Sequence, residues 1–253
     1  GPLRVLVVDD SSAVCKIVKW GLELDDDIEV VGLAGDAEEA WELIDELDPD
    51  VMTLDVEMPG VSGVEFLRQL LPKRPIPVVM LSAMTQHGTR AAFEAIAAGA
   101  IDFVPKPTAD IADGLPAMLE ELRQKVRVAA RVNMAAWGRT RHQAVQTAAQ
   151  PSALVGPKRP IVPGSRPKIV AIGASTGGTD AIAAVLRRFS AEMPGMVLVQ
   201  HMPAGYTKRF AESLDETCAL RVKEAEAGDR VEPGVALLAP GDEHLRLRRE
   251  GTG

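Results

Sequence analysis

The sequence predicts an α/β protein that contains two doubly wound parallel sheets. Four short apolar runs in the first half alternate with helix-like stretches, and such runs bounded by turn signals are typical of buried parallel strands. Further runs of this kind begin at residue 168, after a stretch rich in proline and basic residues. The predicted domains are therefore residues 1–125 and 168–253, joined by a linker over residues 126–167.

Composition narrows the class of protein. A hydrophobic content of 46% and a charged content of 25% are ordinary for a globular protein. No apolar run approaches the roughly 18 residues of a membrane span, and no secretory signal is found, so we predict a cytoplasmic protein without membrane insertion. The only cysteines, Cys15 and Cys218, are interpreted as free thiols in a reducing compartment.

Each predicted strand of the first domain leads into a polar residue that can carry chemistry. The strands are Leu3–Val8, Val51–Leu54, Val78–Leu81 and Ile101–Val104. The residues that follow them are Asp9 with Asp10, Asp55, Ser82, and Pro105 with Lys106 and Pro107. Ligands of open α/β sheets bind at the carboxyl ends of the strands, so we expect these side chains to meet at one edge.

Three carboxylates, a hydroxyl and a lysine have a joint chemical use. Converging carboxylates repel one another, and Mg²⁺ relieves the repulsion while keeping positions for phosphate oxygens. A carboxylate beside the metal can attack phosphorus and form an acyl phosphate. The lysine and the hydroxyl would then bind the phosphoryl oxygens. One aspartate at a strand end is usually only a turn residue, so the prediction depends on all five side chains.

The motifs V-V-D-D-S, L-D-V-E-M-P-G, L-S-A and the later K-P resemble the receiver domain of two-component response regulators. The resemblance covers about residues 3–125 and implies a flavodoxin-like fold with a sensor histidine kinase as partner. It implies that Asp55 is the phosphoacceptor. The Mg²⁺ ligands that it implies are Asp9, Asp10, Asp55 and the backbone carbonyl of Glu57.

The same resemblance assigns residues to a switch. Ser82 would be the switch hydroxyl and Lys106 the phosphate partner. Phe103, three residues before the lysine, would be the switch aromatic, although it can equally be a core residue. Glu57 stands where many receivers carry asparagine, so its side chain adds negative charge near the metal.

The stretch over residues 122–168 contains 10 Lys/Arg and no Asp/Glu, a net charge of +10, together with five prolines. This composition is typical of a semi-rigid linker. A basic run can also bind nucleic acid. The stretch shows neither a helix-turn-helix pattern nor interleaved aromatic residues, so we favour a solvated linker and expect no nucleic-acid partner.

The second domain begins with a predicted strand, Lys168–Ile172, that runs into G-A-S-T-G-G. A predicted helix over Thr179–Phe189 and a strand over Met196–Gln200 follow. A strand, a sharp glycine turn with serine and a helix form a nucleophile elbow, and G-A-S-T-G fits its G-x-S-x-G pattern. The pattern makes Ser175 a candidate nucleophile.

Two neighbouring groups could assist that serine. The backbone N–H of Thr176 begins the turn into the helix and could bind a developing oxyanion, and His201 could act as general base. The turn could instead cradle a phosphate, although it lacks the G-K-[ST] of a P-loop. A histidine at a strand end often has only a structural role. The G-x-S-x-G motif by itself therefore does not decide whether Ser175 and His201 are catalytic.

The motifs P-K-I-V-A-I-G-A-S-T-G-G, L-V-Q-H-M-P and L-A-P-G-D-E-H-L resemble the catalytic domain of chemotaxis methylesterases, the CheB family. The resemblance implies hydrolysis of glutamate methyl esters on the cytoplasmic helices of chemoreceptors and, in many members, deamidation of receptor glutamines. It implies Ser175 as nucleophile, His201 as base, Thr176 beside the site, and no cofactor for the hydrolase.

The family's catalytic aspartate lies farther beyond the histidine than this sequence extends, in a glycine-rich segment. We therefore expect a C-terminally truncated chain with a partial Rossmann-like methylesterase domain and negligible esterase activity by itself. Asp242, in a P-G-D turn, and His244 are interpreted as structural. The alternative function is a non-enzymatic response regulator whose second module only binds partners, and a methyl-ester hydrolysis assay on the extended chain separates the two.

Overall fold

The computed structural model describes residues 1–83, 85–107, 111–134, 137 and 169–249. The chain divides into two compact units between residues 142 and 143. Most of the predicted linker, and Lys168 at the start of a predicted strand, lie outside the described residues.

The first unit is a five-stranded parallel sheet with the strand order β2-β1-β3-β4-β5. Its strands are β1 (Leu3–Val8), β2 (Ile28–Ala34), β3 (Val51–Asp55), β4 (Val78–Ala83) and β5 (Asp102–Lys106). Its helices are α1 (Ser12–Leu22), α2 (Ala37–Leu47), α3 (Gly63–Leu70), α4 (Gln86–Ala98) and α5 (Ile111–Ala129). This strand order is that of a flavodoxin-like doubly wound sheet, which confirms the predicted fold class.

Burial on both faces explains why the central strands are mostly apolar. In β1 the four residues from Val5 to Val8 are fully buried. Val5 and Val7 belong to a core cluster with residues of α1 and α5, including Val18 and Leu122. Because helices cover both faces of such a sheet, the central strands carry mostly apolar side chains, and Thr53 and Ser82 are buried polar exceptions.

Side-chain caps begin the helices that follow the strands. The hydroxyl of Ser11 accepts the Val14 N–H at the start of α1, and the carboxylate of Asp36 accepts two N–H groups at the start of α2. Ser62 and Thr85 cap α3 and α4 in the same way. Each cap satisfies a backbone donor that has no partner within its helix, which fixes where the helix begins.

The second unit is a four-stranded parallel sheet with the order β6-β7-β9-β8. Its strands are β6 (Val170–Ala174), β7 (Met196–Gln200), β8 (Arg221–Glu224) and β9 (Val235–Leu238). Its helices are α6 (Gly178–Leu186) and α7 (Tyr206–Thr217). Strand β6 extends to Ala174, two residues beyond the predicted end, so the glycine turn begins directly at Ser175.

Two exclusions made from the sequence can be compared with the described residues. None of the helices there combines the length and the apolar character that a membrane span requires. Cys15 is buried, Cys218 is partly buried, and both are free thiols, as predicted.

Candidate functional site

Two central strands of the first sheet bring three carboxylates together. Asp9 and Asp10 follow β1, and Asp55 is the last residue of the adjacent strand β3. One oxygen from each of the three carboxylates lies within 4.8 Å of the others. Asp9 is 1% exposed and Asp55 is 5% exposed, whereas Asp10 is open to solvent. The arrangement combines two fixed, buried acids with one accessible acid.

Lys106, the last residue of β5, joins the two buried acids. Its Nζ lies 2.7 Å from Asp9 Oδ2 and 2.9 Å from Asp55 Oδ2. Burial lowers the pKa of Lys106, but the attraction of Asp55 and the hydrogen bonds to both carboxylates outweigh it, so its pKa is raised. The lysine is therefore held as a cation beside Asp55, where a phosphoryl oxygen would need a positive charge.

Burial also changes the acidity of Asp55. It raises the pKa of Asp55 to about 6, while the charge and hydrogen bond of Lys106 and the backbone N–H of Glu57 act in the opposite direction. The ionised form of a buried carboxylate is favoured by any further positive charge. A bound divalent cation would therefore favour the anionic, nucleophilic form of Asp55.

The donor set fits Mg²⁺. Three carboxylates face one ammonium group, so the cluster carries an excess of negative charge when all three acids are ionised. Carboxylate oxygens are the hard ligands that Mg²⁺ prefers, and Mg²⁺ retains waters and phosphate oxygens in its remaining positions. Glu57 is exposed, and its carbonyl stays a predicted ligand.

A cleft of about 860 Å³ opens over this cluster. Asp10, Asp55 and Lys106 line the cleft together with residues of the loop between β3 and α3 and with side chains of α3 and α4, including Arg68 and Arg90. The cleft gives a phosphodonor access to the otherwise buried Asp55. The geometry can therefore accommodate phosphoryl transfer to this carboxylate.

Ser82, in β4, is buried and does not face solvent. Its Oγ donates a 2.8 Å hydrogen bond to the carbonyl of Gly88 in α4. A Cβ added at Gly88 would lie 2.2 Å from the carbonyl oxygen of Ala83, so glycine permits this close approach of α4 to β4. The hydroxyl is thus engaged with the helix in this conformation.

Phe103 lies in the core, at 2% exposure. Its ring packs edge to face against Phe93 with centroids 6.0 Å apart, and Lys125 Nζ lies 5.5 Å from its centroid. The same lysine donates to the Phe103 carbonyl at 2.6 Å. The core interpretation therefore holds for this conformation, and a switching role stays a prediction.

The second unit presents Ser175 on a tight turn at the end of β6. Ser175 is exposed, and Gly177 has a φ of 72°, which a residue with a side chain rarely adopts. The Gly178 N–H donates to the Ser175 carbonyl at 2.7 Å, and α6 begins at that residue. Thr176, partly buried, supplies the first N–H after the serine. The turn combines an accessible hydroxyl with the neighbouring Thr176 N–H just before a helix start.

His201 follows the strand next to that of the serine. In the parallel pair β6–β7, Ala174 lies opposite Gln200, so Ser175 and His201 leave the sheet side by side. The His201 N–H donates to the Ala174 carbonyl at 3.1 Å. Both side chains are exposed, and within the described part of the chain no hydrogen bond joins the hydroxyl to the imidazole. Catalytic hydrogen bonds are often long before substrate binds.

The P-G-D turn supports the loop that follows His201. Asp242 has a φ of 61°, and its Oδ2 accepts the Ala204 N–H at 3.2 Å. The Gly241 N–H donates to the buried hydroxyl of Thr207 at 2.9 Å. These contacts agree with the structural interpretation of Asp242. His244 is exposed.

One buried side chain at this site was missed by the sequence reasoning, which treated Gln200 only as the end of a strand. Gln200 is 6% exposed, and its Nε2 donates to the carbonyls of Ser175 at 2.9 Å and His201 at 3.3 Å. The sequence did contain a sign of this role. Gln200 is a polar residue at the end of an apolar strand, directly before the candidate base, and the sheet itself does not need a side-chain amide there.

Comparison with known proteins assigns both units. The profile of the response regulator receiver domain matches residues 5–120, and that of the CheB methylesterase matches residues 170–252. The chain is 51% identical over 249 residues to a protein-glutamate methylesterase/protein-glutamine glutaminase from Syntrophotalea carbinolica, covering 98% of this chain and 69% of that protein. The chain belongs to the CheB methylesterase family.

A second relative gives the same result, and a solved structure resembles the first unit. A protein of Pseudomonas aeruginosa with the same name, numbered 2, is 44% identical over 251 residues, covering 99% of this chain and 68% of that protein. Among solved structures, the response regulator domain of Thermotoga maritima CheB is 40% identical, with a TM-score of 0.48, covering 53% of this chain and 99% of that one.

Proposed function

We propose that this chain is the receiver and the N-terminal part of the catalytic domain of a phosphorylation-controlled protein-glutamate methylesterase and protein-glutamine glutaminase that acts in chemotaxis. The supporting observation is the placement of Ser175 and His201 at adjacent strand ends in a CheB-family chain. The proposed substrates are glutamate methyl esters and glutamines on the cytoplasmic helices of chemoreceptors, so the protein would work in the cytoplasm. The test is methanol release from a methylated receptor by the protein expressed from its complete reading frame.

Ester hydrolysis would begin with attack of Ser175 Oγ on the ester carbonyl carbon. His201 takes the hydroxyl proton as the Oγ–C bond forms, and the carbonyl oxygen becomes an oxyanion. The Thr176 N–H is the proposed donor to that oxyanion. When the C–O bond to the methoxy group breaks, the imidazolium returns its proton and methanol leaves.

The second half of the reaction restores the serine. His201 takes a proton from water, the hydroxide attacks the acyl carbon, and the bond to Ser175 Oγ breaks as the oxygen regains a proton. The product is a receptor glutamate. Deamidation follows the same steps, with ammonia in place of methanol as the leaving group, so both reactions depend on one nucleophile and one oxyanion site.

The first unit is proposed to be the receiver that controls this activity. Asp55 is the proposed phosphoacceptor, and its carboxylate attacks phosphorus as the bond to the nitrogen of a phosphohistidine on a sensor kinase breaks. Mg²⁺, when bound to Asp9, Asp10, Asp55 and the Glu57 carbonyl, supplies positive charge against the phosphoryl oxygens. Lys106, already 2.9 Å from Asp55, contributes a second positive charge.

The proposed domain limits follow from these roles. Residues 1–125 form the receiver, 126–167 the linker and 168–253 the N-terminal part of the methylesterase domain. The receiver match over residues 5–120 and the methylesterase match over 170–252 lie within these limits. No cofactor is proposed for the hydrolase, because an activated serine suffices for acyl transfer to water.

Removal of the accessible acid should weaken metal binding. We expect Asp10→Ala to reduce Mg²⁺ affinity by 10-fold or more, because loss of even an outer-shell partner of a metal ligand typically costs about 10–100-fold. Fluorescence or calorimetric titration with MgCl₂ would measure the affinity. The control is Glu38→Ala, which removes an exposed acid in the first turn of α2. Equal Mg²⁺ affinity in the unmodified protein and in Asp10→Ala would contradict this ligand assignment.

The hydroxyl of Ser82 should matter after phosphorylation, not for it. On phosphorylation we expect the Oγ to leave the Gly88 carbonyl and bind a phosphoryl oxygen, which changes the contact between β4 and α4. Ser82→Ala should therefore still be phosphorylated at Asp55, while most of the increase in methanol release caused by a phosphodonor is lost. Ser82→Thr, which keeps the hydroxyl, is the control. Full activation of Ser82→Ala would remove this residue from the switch.

A further inference from the structure

Gln200 connects the backbones of the two residues proposed to carry out hydrolysis. It is the last residue of β7, and its side chain is 6% exposed. Its Nε2 donates to the carbonyl of Ser175 at 2.9 Å and to the carbonyl of His201 at 3.3 Å. One buried carboxamide therefore touches both the turn that bears the serine and the strand end that bears the histidine.

The orientation of this carboxamide follows from hydrogen-bond chemistry. Only the amide nitrogen can face two carbonyl oxygens, because the amide oxygen is an acceptor. Oε1 consequently faces the start of α6, where a Cβ added at Gly178 would lie only 2.1 Å away. In the described residues Oε1 is buried without a hydrogen-bond partner. Such an acceptor destabilises the fold, which points to a function for the donor end of the side chain.

The amide nitrogen of Gln200 controls the orientation of the peptide group between Ser175 and Thr176. The Ser175 carbonyl and the Thr176 N–H belong to the same planar trans peptide, so they point in opposite directions. The Gln200 amide and the Gly178 N–H, at 2.9 Å and 2.7 Å, hold the carbonyl from one side. Holding the carbonyl fixes where the Thr176 N–H points.

We infer that Gln200 is a positioning residue that aims the Thr176 N–H at the developing oxyanion and ties the serine turn to the strand end of His201. The inference rests on the proposed function, because it needs hydrolysis at Ser175. An oxyanion donor acts in the transition state, so misaiming it lowers kcat and leaves KM almost unchanged. A small misplacement of a reacting group can cost on the order of 100-fold in rate.

The test uses two variants in the protein expressed from its complete reading frame, with kcat and KM measured on methylated receptor. Gln200→Met keeps the length of the side chain and removes the donor. We expect its kcat to fall about 10- to 100-fold, with KM within about twofold. Gln200→Glu turns a carboxylate toward two carbonyl oxygens, so we expect a loss at least as large. Deamidation should fall by the same factor as ester hydrolysis, since both form an oxyanion.

A control separates positioning from a general loss of stability. Leu198→Val removes a methylene from a fully buried residue of the same strand and should lower the melting temperature without lowering kcat. The inference is overturned if Gln200→Met keeps kcat within about twofold of the unmodified protein. It is also overturned if Leu198→Val loses as much kcat as Gln200→Met for the same change in melting temperature.

Failure of this inference and failure of the proposed function give different results. Methanol release that is lost in Ser175→Ala but kept in Gln200→Met would overturn the role of Gln200 alone. If the unmodified protein releases no methanol, or if Ser175→Ala releases as much methanol as the unmodified protein, the proposed function is wrong. The proposed role of Gln200 is then wrong as well.

Discussion

Replacing Ser175 with alanine is expected to remove nearly all methanol release from methylated receptor. The serine Oγ is the only protein atom proposed to form a covalent bond to the substrate, so its loss leaves only direct attack by water. His201→Ala should cause a comparable loss, because nucleophile and base act as a unit, and in a serine protease either change costs on the order of 10⁶-fold in kcat. Initial rates on the protein expressed from its complete reading frame would measure both effects.

The second unit offers a matched control for each substitution. Ser213→Ala removes an exposed hydroxyl from α7, and His244→Ala removes an exposed imidazole outside the described strands. We expect both to keep the full rate. If Ser175→Ala retains substantial turnover, the serine mechanism is wrong and the non-enzymatic alternative gains support. If His244→Ala is as inactive as His201→Ala, His201 can no longer be assigned as the base.

The sequence predicts strands well where the sheet buries them on both sides. Strands β1, β3 and β4 are mostly apolar because helices cover both faces, and their apolar runs are visible without a structure. Strands β2, β8 and β9 were not predicted. Strands β2 and β8 lie at the edges of their sheets and mix buried with partly or fully exposed positions, so neither forms a continuous apolar run. Strand β9 is an interior strand, but it is only four residues long.

The sequence predicts where the candidate sites lie in the fold, but it does not predict the hydrogen bonds within them. Functional residues of parallel sheets lie at the carboxyl ends of the strands. Asp55, Lys106 and Ser175 could therefore be identified from their places at predicted strand ends. Their hydrogen bonds depend on strand order and on side-chain conformation, which a single sequence does not reveal. The bond from Ser82 to α4 and the amide of Gln200 between two carbonyls are of this kind.

Asp55→Asn is expected to abolish phosphorylation of the protein. The amide has nearly the shape of the carboxylate, and its oxygen can still accept from Lys106, but it lacks the anion that attacks phosphorus. Incubation with a radiolabelled small-molecule phosphodonor and Mg²⁺ should label the unmodified protein at Asp55 and leave the variant unlabelled. Mass spectrometry of the labelled protein would locate the phosphoryl group.

The control for this substitution is Asp26→Asn, which makes the same chemical change at an exposed position. It should be labelled as strongly as the unmodified protein. Chelation of Mg²⁺ should prevent labelling of both, because the anionic Asp55 and the phosphoryl oxygens would then face each other with only Lys106 between them. Acid-labile phosphate on Asp55→Asn would show that another side chain accepts the phosphoryl group, and the arrangement of Asp9, Asp10 and Lys106 around Asp55 would need a different explanation.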